Sequence, residues 1–116
     1  MLEVSPTTEM LARAIDVCAL RQAVHTANIA NANVAGYRRL EVQFDAEAMR
    51  ATVEGSGNAM NASATPAEVV SAQSTVKLDE EMAAMAQNAV RYQMLLELYE
   101  RSYGAVRAAI HEGRET

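Results

Sequence analysis

The sequence predicts an all-α fold: an elongated antiparallel hairpin of two long helices, coiled-coil-like in its packing, with a short extended segment and a flexible middle loop between them. Three observations carry that expectation. Alanine supplies 23 of the 116 residues, while the aromatics are one Phe and four Tyr, a composition that favours helix but offers little apolar area per residue. The stretches toward either end hold apolar residues at alternating steps of four and three, the spacing of one helical face. Between them lies a stretch rich in Ala, Ser, Thr, Asn and Gly with little to bury. A chain of this kind has a thin interior and is expected to draw part of its stability from partner subunits.

The first helix starts at Ser5-Pro6. A serine hydroxyl accepts a hydrogen bond from a free amide of the first turn, and proline at the first helical position gives up no bond. Leu11, Ile15, Cys18, Gln22, His25, Ile29 and Ala32 then share a stripe up to about Asn31. The stripe is apolar at its ends and interrupted by Gln22 and His25, and polar residues at such positions usually fix register against a partner.

The second helix is predicted from about Lys77 to Glu112, with Gly113 as its stop. Leu78, Met82, Met85, Ala89, Tyr92, Leu96, Tyr99, Tyr103, Val106 and Ile110 keep the four-three alternation without a charged residue. A 3.5-residue repeat held for that distance is what a supercoiled helix needs to keep one seam facing its neighbour. With Leu11, Ile15 and Ile29 of the first helix, these residues form the expected assembly seam. Asp79-Glu80-Glu81 near the start and Arg101, Arg107 and Arg114 toward the end complement the helix dipole.

Between the helices, Leu40, Val42 and Phe44 alternate with polar residues and read as a short extended piece. Residues 50–75, broken by Gly55-Ser56-Gly57-Asn58 and Pro66, read as a flexible loop. The chain therefore divides into residues 1–39 (first helix and Asn-rich turn), 40–76 (extended piece and loop) and 77–116 (heptad helix).

The residues exclude several functions. A net charge of −5 with one basic pair, Arg38-Arg39, argues against nucleic acid as a partner. Cys18 is the only cysteine and has no partner for a disulfide; with His25 it lacks a third ligand at metal-binding spacing. The adjacent carboxylates Asp79, Glu80 and Glu81 point in different directions and suit a helix start rather than acid-base catalysis. Gly55-Ser56-Gly57 lacks the setting of a phosphate loop. The expectation is no enzyme activity, no catalytic residue, no metal or other cofactor and no small-molecule substrate. The opening residues, with an acid and a proline, do not resemble a cleavable signal peptide.

Ala27-Asn28-Ile29-Ala30-Asn31-Ala32-Asn33-Val34-Ala35-Gly36-Tyr37 ends the first helix with three asparagines and a Gly-Tyr turn. It resembles the Ala-Asn-Ile-Ala-Asn-Ala-Asx-Thr-Pro-Gly-Tyr signature of bacterial flagellar axial proteins, with Val34-Ala35 standing where the family usually has Thr-Pro. The motif residues carrying the likeness are Ala27, Asn28, Ile29, Ala30, Asn31, Ala32, Asn33, Gly36 and Tyr37. The following segment Tyr37–Phe44, and Val76–Met82 with Asn88–Gln93, are similar to the FlgB family of proximal rod proteins, with the sister FlgC-like rod proteins the nearest alternative. A cytosolic helical adaptor or chaperone is the alternative from another class, and it leaves the Asn-rich motif unexplained. The resemblance implies a structural subunit of the basal-body rod, spanning the periplasm and transmitting torque for motility. Its implied partners are further copies of itself, other rod and axial subunits, the flagellar type III export apparatus and the basal-body base.

Overall fold

The computed structural model describes residues 5–45, 47 and 67–115, the side chains of residues 106, 114 and 115 excepted. Helix α1 spans Pro6–Ala30. Ser5 caps it as expected, its hydroxyl accepting from the Thr8 N–H at 3.1 Å, with Pro6 in the first turn. The helix stops at Asn31, whose side-chain amide donates back to the Ala27 carbonyl at 2.8 Å.

The turn that follows has a sequence logic of its own. Tyr37 N–H donates to the Val34 carbonyl at 3.1 Å, and Gly36 between them has φ +81°. This is the signature of a type II turn, in which the third residue needs positive φ and glycine adopts it without strain. Ala35 occupies the second position, where proline is favoured.

Strand β1, Leu40–Phe44, is the extended piece read from the sequence. It pairs antiparallel with β2, Ala67–Ser71, in the register Leu40↔Ser71 to Phe44↔Ala67. The second strand corrects the expectation of a loop through residue 75. Its five residues lack a strand signal of their own beyond Val69-Val70, and what orders them is pairing with a strand far away in sequence. The remainder of that expectation, residues 50–66, lies outside the described residues.

Helix α2 spans Leu78–Glu115, 38 residues or about 57 Å at 1.5 Å per residue. It continues through Gly113 instead of stopping there, so glycine permits a helix end at that position without imposing one. The two helices run antiparallel: Thr8 meets Ser102, Gln22 meets Asn88, and Asn28 meets Glu81. Strand β1 lies against α1. The molecule measures 66 × 30 × 16 Å with a radius of gyration of 18.0 Å, well above the ~13 Å of a compact chain of this length.

The interior between the helices is thin. Among the described residues the buried apolar side chains are Val17, Cys18 and Val24, while Thr8, Asn28, Glu81 and Asn88 are buried polar ones. Polar contacts therefore decide much of how the hairpin closes.

Candidate assembly surface

The residues joining α1 to α2 follow a pattern on α2 that begins one position before the apolar seam. Glu81, Asn88, Leu95 and Ser102 lie seven residues apart and, with Met85, Tyr92 and Tyr99 between them, form the covered face of the helix. The covered face and the expected seam share only those three. The row one residue later carries Met82, Ala89, Leu96 and Tyr103, with Ile110 continuing it forward, while Leu78 precedes Met85 by seven residues. Leu78, Met82 and Tyr103 are exposed at 46%, 52% and 43%, Ala89 is exposed, and Leu96 is half-buried. Ile110 is half-buried, as are Leu11, Ile15 and Ile29 of α1, and the side chain of Val106 is outside the described residues. The Tyr99 and Tyr103 rings stack at 6.1 Å, with the Arg107 guanidinium 5.7 Å from the Tyr103 ring centre.

Ala89 of this row lines an open groove of 640 Å³ between the helices. On α1 the groove is lined by Ala19, Gln22, Ala23 and Thr26; on α2 by Asn88, Ala89, Tyr92 and Gln93. Small side chains on the α1 wall leave room for close approach of another backbone.

The Asn-rich motif does more than end a helix. Asn28 is fully buried and its amide uses every hydrogen-bonding position it has. Its Nδ2 donates to the Leu40 carbonyl at 2.8 Å and to Glu81 Oε1 at 2.6 Å; its Oδ1 accepts from the Leu40 N–H and the Tyr37 hydroxyl, both at 2.9 Å. One side chain thus pairs with both backbone groups of the first residue of β1, anchors the Tyr37 end of the turn, and reaches α2. Glu81 Oε1 is also 2.6 Å from His25 Nδ1. Of the three adjacent acids, Asp79 and Glu80 face solvent as the helix-start reading expects, whereas Glu81 is 4% exposed and serves as acceptor for two groups of α1.

Two further rungs complete the ladder. Asn88 Nδ2 donates to the Cys18 carbonyl and to Gln22 Oε1, both at 2.8 Å. Thr8 Oγ1 and Ser102 Oγ form a short hydroxyl–hydroxyl contact, and Ser5 Oγ lies 2.8 Å from Thr8 Oγ1. Gln22 and His25, read as register-setting residues on α1, thus meet Asn88 and Glu81. Sequence reasoning missed Thr8, Glu81, Asn88 and Ser102. A search for polar rather than apolar residues at seven-residue spacing would have found the last three.

Fold and site together define a rod-like helical hairpin whose buried chemistry is structural, with hydrogen bonds that hold elements in place. Comparison with known families makes that class specific: a model described as flagella basal body rod protein matches residues 12–38, from the first half of α1 through the Asn28 network to Arg38. The match covers less than half of the chain and supports a flagellar rod protein; the matched family is a structural component of the flagellar rod, which implies a place in the basal body and assembly with other rod subunits. Comparison with curated proteins finds no match. Among the described residues no helix is long and apolar enough to cross a membrane.

Proposed function

We propose that this chain is a proximal rod subunit of the FlgB kind, which packs against neighbouring copies and other axial subunits through the apolar row of α2 and transmits torque across the periplasm. The observation that carries the reading is the set of exposed apolar residues Leu78, Met82, Ala89 and Tyr103 on α2, of which Ala89 lines the groove. An aligned apolar strip of this kind marks an interaction surface rather than scattered surface residues. Leu96, with Met85, Tyr92, Tyr99 and Ile110, extends the strip toward the covered face, and Leu11, Ile15 and Ile29 supply the α1 side; Val106 belongs to the same proposed seam by its spacing. Export through the flagellar type III apparatus and seating on the basal-body base belong to the same proposal.

Met82→Asp tests it directly. Met82 is 52% exposed, so a carboxylate there leaves the hairpin solvated and intact, but in an assembled rod it would be buried without a partner at a cost of several kcal/mol. The expected result is a helical chain that builds no rod, with loss of swimming; Leu96→Asp should do the same, and Glu97→Gln should be silent. Normal swimming and basal-body yield in the Met82→Asp strain would refute the surface.

A further inference from the structure

We infer that Glu81, Asn88 and Ser102 act as a rotational lock: they fix which face of α2 turns toward α1 and thereby hold the apolar row out of the hairpin. The inference rests on the proposed assembly role of that row. Two rows of α2 compete for the intrachain interface. One reads Glu81, Asn88, Leu95, Ser102; the other, one residue later, reads Met82, Ala89, Leu96, Tyr103. Both are flanked by Met85, Tyr92 and Tyr99, and a rotation by part of the ~100° between successive residues exchanges them. By apolar burial alone the second row should face α1, since Met, Leu and Tyr remove more apolar area from water than Glu, Asn and Ser. The protein covers Glu81, Asn88 and Ser102 and exposes Met82, Ala89 and Tyr103, with Leu95 and Leu96 both half-buried.

The reason is on the opposite helix. Glu81 finds His25 and Asn28, Asn88 finds the Cys18 carbonyl and Gln22, and Ser102 finds Thr8. Turning α2 would withdraw all three rungs together and strand their α1 partners in a partly covered interface, where a lost partner costs more than a made bond contributes. The ladder is a poor device for stability. Asn88 Oδ1 is buried with no hydrogen-bond partner among the described residues, and a carboxylate 4% exposed is expensive unless fully paired. Apolar residues at 81, 88 and 102 would avoid both costs. Polar residues at heptad positions are best attested as selectors of one packing over another, and here the rejected packing is the one that would consume the surface offered to neighbours.

Disulfide cross-linking of the full chain tests the lock. In a Cys18→Ala background, Thr8→Cys is combined either with Ser102→Cys or with Tyr103→Cys, and the initial rates of disulfide formation are compared under mild oxidation. Repetition at about tenfold dilution separates bonds within a chain from bonds between chains, since only the latter slow on dilution. With Glu81 and Asn88 present, position 102 should cross-link at least about tenfold faster than 103, a ratio equivalent to ~1.4 kcal/mol. Glu81→Leu with Asn88→Leu should reverse the preference while far-UV circular dichroism stays helical. Glu81→Gln, whose Oε1 still accepts from His25 and Asn28, should retain it.

Unchanged preference in the double leucine variant overturns the lock, and so does loss of helix in that variant, because leucine favours helix at both positions. Loss of preference in Glu81→Gln overturns it as well. A strain carrying the double leucine change separates the two layers of the reading. If the cross-link moves to 103 and the strain still builds rods, the lock stands and the proposed assembly row falls; if the cross-link moves and rods fail, both stand.

Discussion

Replacing Asn28 isolates the role of the hydrogen-bond hub. In Asn28→Ala four hydrogen bonds disappear: two to the Leu40 backbone, one to the Tyr37 hydroxyl and one to the Glu81 carboxylate. A neutral bond contributes about 1 kcal/mol net and one to a charged group about 1.5–3 kcal/mol, so the gross loss is about 4–6 kcal/mol. Alanine gives back up to ~0.7 kcal/mol in helix propensity, and water entering the vacated site repairs part of the rest. A net loss of about 3 kcal/mol is a large share of the ~5–15 kcal/mol that holds a domain together. Asn28→Asp is the sharper test because it preserves size and shape. Its Oδ1 can still accept from Leu40 and Tyr37, but its second oxygen faces the Leu40 carbonyl at 2.8 Å and Glu81 Oε1 at 2.6 Å, acceptor against acceptor. The near-isosteric change should therefore destabilise at least as much as alanine, and adding Glu81→Gln, which can donate to the new carboxylate, should recover part of the loss. Urea denaturation at fixed protein concentration, together with amide hydrogen exchange at Leu40, measures both effects. An Asn28→Asp chain within about 0.5 kcal/mol of the parent, well inside the ~1 kcal/mol of a single lost hydrogen bond, would refute the assignment of Asn28 as hub.

The turn and the thin interior make two further predictions. Gly36→Val should cost roughly 1–2 kcal/mol and impair incorporation, measured as swimming and basal-body yield; no atom lies within 4 Å of an added Cβ, so the penalty comes from the positive φ alone. Ala35→Pro should be tolerated or stabilise by about 0.4–1 kcal/mol, because the turn's backbone hydrogen bonds are donated by Val34 and Tyr37 and not by Ala35. Equal responses to the two substitutions would reduce the motif to a plain helix stop. The melting temperature of the isolated chain should rise with its concentration, since copies that cover the α2 row stabilise one another by mass action; a concentration-independent melt, followed by circular dichroism, would contradict this.

Local chemistry made much of the molecule legible in its residues. Ser5-Pro6 specify a helix start through their own side chains, Gly36 specifies a turn through its freedom at positive φ, and the spacing from Leu78 to Ile110 specifies a long helix, because each of these properties acts within a few positions along the chain. The Asn28–Tyr37 motif was visible as a family resemblance, but its purpose was not. Tyr37 and Leu40 become partners of Asn28 only once the turn reverses the chain, and Glu81 joins them only when a helix 53 residues away is laid alongside. The same limit applies to β2, whose residues acquire strand structure from β1. It applies most to the choice of face on α2. Periodicity identifies the rows of a helix but ranks them by apolarity, and by that ranking Met82, Ala89, Leu96 and Tyr103 should lie inside. Only the tertiary structure shows Glu81, Asn88 and Ser102 there instead, because the preference for a polar row comes from donors and acceptors on α1 that no spacing within α2 can reveal.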